Sequence, residues 1–326
     1  MAVITGGASG IGLACAEKCV ELGMKVVIAD INEANIASAC ESLNAKGGVT
    51  LGVQTDVADY DSVQALKDTV YNNRDFGEVG FLFLNAGLSV GDSAYKTPIA
   101  QWKKQLDINV WGVIYGLHVF TQAMIDQGTE SKIAATSSMA GLLNTSTLGL
   151  GAGTPYTVSK HSVTIMMEAL CHELRTTPDC KVTAHCLCPG AVSSNYMNAT
   201  MAENFAELPE EKRAERFEKV SGTMSNMMKS MMTPAKMAEV LADKIGDGNF
   251  YIVGFDGGQP KEMLLTMLQT RADDIIQERP ALSHLIRDDN GKALRGQIKD
   301  AIQTGAKKIQ EGNLLELGVK VGKARL

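Results

Sequence analysis

Thr5-Gly6-Gly7-Ala8-Ser9-Gly10-Ile11-Gly12 stands between a short apolar run, Val3-Ile4, and a segment over residues 10–22 in which Ile11, Cys15, Cys19 and Leu22 recur with helical spacing. Glycines at such a junction let the backbone turn sharply and let a phosphate group approach its N–H groups. The N-terminus of the following helix adds a dipole that favours an anion. A glycine loop alone is a weak signal, because any tight strand–helix turn uses the same residues. Its reading depends on the rest of the chain.

Beyond the loop, apolar runs and helical patterns alternate regularly. Lys25–Asp30, Thr50–Gln54, Phe81–Leu84, Lys132–Ser137, Lys181–Leu187 and Phe250–Val253 read as strands, nearly continuous in apolar residues. Between them, helices are expected over 32–46, about 60–74, 100–127 and 155–176. Strands of this kind joined by helices predict an α/β fold: a doubly wound, Rossmann-like parallel sheet of about seven strands, covered by helices on both faces. Residues 1–258 are expected to form this domain and 259–326 a helical C-terminal extension, with a tail from 313.

Within that fold the glycine loop reads as a dinucleotide site, and further residues agree. Asp30 closes the second strand, 18 residues after Gly12, where a carboxylate accepts ribose hydroxyls and repels a 2′-phosphate. No lysine or arginine stands beside it, so NAD is expected ahead of NADP. Asp56-Val57 closes the third strand, where the carboxylate would meet the adenine amine. Asn85-Ala86-Gly87 closes the fourth with residues small enough for the backbone to approach the adenosine.

Composition narrows the class. A net charge of −6 argues against nucleic-acid binding, which wants a basic face. The mild excess at Lys307, Lys308, Lys320, Lys323 and Arg325 reads as a solvated face and tail. No apolar run approaches the length of a spanning helix, and Met1–Ile4 leads straight into the glycine loop, so no signal peptide is expected. Seven cysteines, an odd number in a long chain, point to a reducing compartment rather than a disulfide framework. Cys186 and Cys188 fall on one face of a strand, and Cys15 and Cys19 on one face of a helix; both pairs read as packing, and no metal site is expected.

Tyr156 and Lys160 lie one helical turn apart, so their side chains share a face. An ammonium beside a phenol favours the phenolate and lowers a tyrosine pKa from about 10. Tyr156 thereby becomes a usable base for alcohol oxidation or, protonated, an acid for carbonyl reduction. Together with Thr5–Gly12, Asn85-Ala86-Gly87, Asn109, Ser137-Ser138 and Pro189-Gly190, the Tyr156-x-x-x-Lys160 pattern resembles the short-chain dehydrogenase/reductase family over residues 2–255.

The resemblance implies a catalytic set of Asn109, Ser138, Tyr156 and Lys160, with Ser138, the second serine of its pair, holding the substrate oxygen and Asn109 holding a water that links Lys160 to solvent. It implies cofactor contacts from Gly6, Ser9, Gly10, Ile11, Gly12, Asp30, Asp56, Val57, Asn85, Ala86, Gly87, Tyr156, Lys160, Pro189, Gly190, Val192 and Ser194, with the Val192 backbone on the carboxamide. Ser194 stands where the family usually carries threonine. The 18-residue separation of Ser138 and Tyr156 is longer than usual there, and the excess, within Leu142–Pro155, borders the substrate.

The implied activity is an NAD(H)-dependent interconversion of secondary alcohol and ketone. The alternatives are an NADP(H)-dependent carbonyl reductase and a non-catalytic dinucleotide sensor, although sensors typically lose the tyrosine or lysine. A related epimerase branch carries Gly-x-x-Gly-x-x-Gly, unlike Gly6, Gly10 and Gly12. Eight of the 16 methionines fall between Met197 and Met237. They suit a lid over a bulky hydrophobic substrate, or equally a helix pair packed on the core. Glu203–Arg213 reads as an amphipathic helix. A homodimer or homotetramer built on the helices near 100–127 and 155–176 is implied. The cytoplasm is the expected location, although Ala324-Arg325-Leu326 fits a loose peroxisomal pattern.

Overall fold

Alternate residues of the buried strands face two different cores. The computed structural model describes residues 1–91, 93–145, 153–193, 210, 231–254 and 261–278. Its strands are β1 (Ala2–Thr5), β2 (Val26–Asp30), β3 (Thr50–Gln54), β4 (Phe81–Leu84), β5 (Ser131–Thr136), β6 (Val182–Cys188) and β7 (Tyr251–Val253). They form one sheet in the order β3-β2-β1-β4-β5-β6-β7, and every neighbouring pair is parallel. This is the expected doubly wound fold.

The helices are α1 (Gly10–Glu21), α2 (Glu33–Ala45), α3 (Tyr60–Asn72), α4 (Ile99–Leu106), α5 (Gly112–Asp126), α6 (Thr154–Thr176), α7 (Pro234–Gly246) and α8 (Lys261–Ile276). Val3, Leu82, Leu84, Ile133 and Cys186 point to one face of the sheet, where Leu66 of α3, Phe120 of α5 and Met167 of α6 cover them. Ala2, Ile4, Phe83, Ala134 and Leu187 point to the other, against Cys15 of α1, Leu43 of α2 and Met237 of α7. The period of two in the strands thus feeds both layers.

Three expectations need adjusting. The helix read over 100–127 is broken by one wide π-turn at Asp107–Trp111, whose extra residue separates α4 from α5. Residues 99–126 are the one described stretch long and apolar enough to cross a membrane; here Val113, Phe120 and Met124 are buried against the sheet, as in a core helix. Of the eight methionines between 197 and 237, the three described, Met231, Met232 and Met237, are buried, and the last two belong to the protein's own core. The other five, the Glu203–Arg213 helix apart from Glu210, loop residues 146–152 and the tail from 313 lie outside the described residues.

Cys15, Cys19, Cys186 and Cys188 are packing residues, as read. Burial pushes the Cys15 thiol up and that of Cys19 up to about 12. By backbone proximity the chain divides into two compact units, residues 1–268 and 269–326. The site lies in the first.

Candidate active site

In a parallel sheet wound both ways, loops on either side of the strand-order reversal part and leave a crevice. Here the reversal falls between β1 and β4. Gly6 leaves β1 with φ of 60°, and a Cβ there would stand 2.9 Å from the Ala86 Cα. A Cβ on Gly12 would collide with the Gly6 carbonyl and the Asn85 amide. Glycine is therefore required at both positions, by conformation at the first and by space at the second.

Asn85 closes the crevice floor. Its Nδ2 donates to Thr5 O and Gly6 O (3.2 and 3.3 Å), while Thr5 Oγ1 accepts from the backbone N–H of Asn85 and Ala86 (2.9 and 3.2 Å). Thr136 Oγ1 ties the same Asn85 side chain to the end of β5 (3.0 Å).

Helix α1 begins at this loop, and Ser9, its N-cap, makes no side-chain capping bond. No acidic residue occupies its first turn. The N–H groups at Gly10, Ile11 and Gly12 thus form a positive end that suits an anion. Asp30, half-buried at the tip of β2, accepts from Ala8 N (3.2 Å) and Asn32 N (3.1 Å), so its carboxylate also fixes the glycine loop. Asp56 is exposed at the end of β3 and accepts from Ala58 N (2.9 Å), while Val57 packs where a side chain on Gly112 would go. The cradle therefore suits a dinucleotide: a helix end that attracts an anion, a carboxylate at the tip of the neighbouring strand β2, and small residues between.

The second half of the site gathers around Lys160. Its ammonium is buried, donates to Thr136 O at 2.7 Å and lies 5.6 Å from the centre of the Tyr156 ring. Burial lowers the Lys160 pKa to about 8. A Cβ on Gly87 would sit 3.5 Å from Lys160 Nζ and 3.3 Å from Asn109 Oδ1, so Gly87, Asn109 and Lys160 converge.

Asn109 lies in the π-turn, a local form that recurs at functional sites. Its Oδ1 accepts from Leu88 N, and its Nδ2 donates to Leu88 O and to Ser159 Oγ (2.9, 2.9 and 3.2 Å). Both amide hydrogens are thereby committed to the protein.

The adjacent serines are differently placed. Ser137 is buried, donating to Lys160 O (2.9 Å) and sharing a 2.7 Å bond with Thr164 Oγ1. Ser138 is half-buried and starts a single 3₁₀ turn, Met139–Gly141, accepting from Ala140 N (3.1 Å). Met139 N donates to Pro189 O (2.9 Å), bringing the end of β6 beside it. Beyond Gly190, Val192 pairs with Met232: Ser193 N donates to Met232 O, and Met232 N to Ala191 O. That pairing turns the Val192 N–H and C=O away from Met232. Ser194 lies outside the described residues.

Gln105 and Ser159 were missed in the sequence. Gln105 stands four residues before Asn109, and Ser159 directly before Lys160; helical spacing from the motif residues is the signal that points to both.

A family model for short chain dehydrogenases matches residues 1–205. The chain belongs to the short-chain dehydrogenase/reductase family. A 1-deoxy-11-beta-hydroxypentalenate dehydrogenase of Streptomyces avermitilis is 33% identical over 204 residues, 62% of this chain and 72% of that protein. An NADP-dependent (R)-specific alcohol dehydrogenase of Lentilactobacillus kefiri is 36% identical over 173 residues, 52% of this chain and 64% of that one. The crystal structure of a family member from Burkholderia phymatum in complex with NAD superposes with a TM-score of 0.72 at 30% identity, covering 86% of this chain and 95% of that one. As a short-chain dehydrogenase/reductase, the protein is an oxidoreductase of alcohols or ketones that binds a small-molecule substrate and a nicotinamide dinucleotide.

Proposed function

We propose that the protein interconverts a secondary alcohol and a ketone with NAD(H), with Tyr156 as general acid and base. The observation that carries this is the buried Lys160 ammonium, anchored on Thr136 O beneath the Tyr156 ring. A fixed positive charge there favours the phenolate, which takes the hydroxyl proton in oxidation and returns it in reduction. Ser138 holds the substrate oxygen, free of the buried bonds that occupy Ser137. Asn109 positions a relay water through an acceptor, since its amide hydrogens are committed. The dinucleotide, when bound, supplies the hydride acceptor or donor.

Gly6, Ser9, Gly10, Ile11 and Gly12 would hold its phosphates, Asp30 its ribose, and Asp56, Val57, Asn85, Ala86 and Gly87 its adenosine end. Pro189, Gly190 and Val192 would hold its nicotinamide end, and Ser194 is assigned to the same end from the sequence alone. Asp30 favours NAD, because its carboxylate would face a 2′-phosphate; the Lentilactobacillus relative, NADP-dependent by name, makes the comparison worth measuring. A bulky hydrophobic substrate agrees with the hydroxypentalenate in the name of the Streptomyces relative.

We further assign residues 1–258 to the catalytic domain, 259–326 to a helical extension, and the protein to the cytoplasm. Trp111, Val158 and Ile165, exposed apolar side chains beside and on α6, suit a homodimer or homotetramer.

The test is a panel of secondary alcohols and ketones followed by NADH absorbance with NAD and NADP in parallel, for wild type and Tyr156→Phe. Turnover by wild type, its loss in the variant and unchanged NADH binding are expected. A Tyr156→Phe enzyme that still turns over would overturn the mechanism.

A further inference from the structure

One buried amide beside the site has no part in the proton transfer assigned to Tyr156 and Lys160. Gln105, at the end of α4, is 0% exposed. Its Oε1 accepts from Val90 N at 2.8 Å, and its Nε2 donates to Leu88 O at 2.8 Å and to Ser159 Oγ at 3.4 Å. Asn109 bonds the same Leu88 backbone on both its N–H and its carbonyl, and the same Ser159 hydroxyl. Ser159 in turn donates to Tyr156 O at 2.7 Å. Both amide hydrogens of each side chain are used, and so are both lone pairs and the hydrogen of the serine. The network has one arm on Leu88 and Val90, which directly follow Gly87, the residue beside Lys160, and the other on the first turn of α6, which carries Tyr156.

We propose that Gln105 is a positioning residue for proton transfer. Its amide fixes the spacing between the Gly87–Val90 segment and the Tyr156 turn, and so the seating of the Lys160 ammonium beneath the Tyr156 ring. The proposal rests on the assignment of Tyr156 and Lys160 as the proton-transfer pair. A methionine at 105 keeps the volume but removes every bond. Val90 N–H is then left in a buried place with no partner, the segment shifts or takes in water to satisfy it, and Gly87, three residues back, no longer seals Lys160. Hydration next to a desolvated ammonium returns its pKa towards that of a free lysine. A glutamic acid at 105 behaves differently. While protonated it still accepts from Val90 N and donates to Leu88 O; once ionised it loses that donor.

The experiment compares wild type, Gln105→Met, Gln105→Glu and Ser159→Ala in kcat against pH, using the fastest substrate of the panel. Gln105→Met should lower kcat about tenfold or more, since small displacements of reacting groups cost heavily. KM and NADH affinity should stay near wild type, and the pH limb of kcat should move. Gln105→Glu should approach wild-type kcat at low pH and lose it as the carboxyl ionises, adding a limb that wild type lacks. Ser159→Ala cuts the link to Tyr156 O while Gln105 keeps Leu88 and Val90; it should move the same limb, and it carries the test if Gln105→Met does not fold.

A second readout needs no substrate. Thermal melts between pH 7 and 10 should show a smaller gain in stability with pH for Gln105→Met than for wild type, because its lysine is less desolvated. Variants that melt earlier but keep the wild-type kcat profile and the wild-type pH dependence of melting would reduce Gln105 to a core-filling residue and overturn the proposal. Turnover by Tyr156→Phe would instead overturn the assignment beneath it.

Discussion

Lys160→Met should make the protein more stable at pH 7 while removing its activity. Lys160 is buried with its charge, and its pKa stands at about 8 against an ordinary lysine value of 10.5. At 1.36 kcal/mol for each pH unit, that difference corresponds to about 3 kcal/mol. Below about pH 8 the lysine is charged in both the folded and the unfolded chain, and the fold bears the whole cost. Between about 8 and 10.5 the unfolded chain holds a proton that the fold has released, so stability rises with pH.

Methionine removes the charge but also the bond from Nζ to Thr136 O, about 1 kcal/mol. The net gain at pH 7 is about 2 kcal/mol, or about 4–8 °C in Tm for a domain of this size. At pH 9.5 the wild type has recovered about 2 kcal/mol, so the advantage falls to near zero. Thermal melts of both proteins at the two pH values, with turnover measured alongside, give the comparison; turnover should fall by about 10²-fold or more. A variant less stable than wild type at pH 7, by an amount that does not change with pH, would falsify the reasoning. It would mean that the ammonium is held at no electrostatic cost.

Three further outcomes are expected. Ser137→Ala should lower stability by about 1–2 kcal/mol through its bonds to Lys160 O and Thr164, whereas Ser138→Ala should lower turnover with little change in Tm; chemical denaturation beside steady-state kinetics separates them, and reversed effects would reverse the assignment. His185, bonded to Asn249 O and Thr183, is held neutral by burial with its pKa below the ordinary 6.5. The stability it protects should therefore be present above about pH 6.5 and decline on acidification below it, and a His185→Gln protein should lose less Tm between pH 7 and 5.5. Asp30→Ser should narrow the preference for NAD over NADP and loosen the loop at Ala8; a preference unmoved in kcat/KM would show that another residue reads the ribose.

The sheet and the cofactor loop were legible because their signals are local. Val3-Ile4 before Gly6, and the apolar runs of β2, β4 and β6, carry their burial in composition alone, and Gly12 is demanded by its own near neighbours. The wide turn at Asp107–Trp111 was not legible, because the sequence through Ile108, Asn109 and Val110 suits an unbroken helix equally well. Gln105 was overlooked because a glutamine between Lys104 and Leu106 looks solvated until Leu88 and Val90, distant in sequence, are laid beside it. Met232 and Met237 could be read as lid or core because thioether side chains serve both, and only packing against Ile252 and Leu241 decides.

The wide turn also places a constraint on chain length. One residue added to a helix rotates everything after it by about 100°. Phe120 and Met124 face the sheet only because that rotation has been taken up between Leu106 and Gly112. Deleting a single residue from 107–111 would let the turn heal into regular helix with the apolar stripe of α5 still on the core, but it would take from Asn109 the wide turn that presents its amide to Leu88 and Ser159. Substitutions in this stretch are therefore tolerable one by one according to their chemistry, whereas a codon lost there is not. The reading frame of the helix, as much as the identity of Asn109, is what inheritance must preserve.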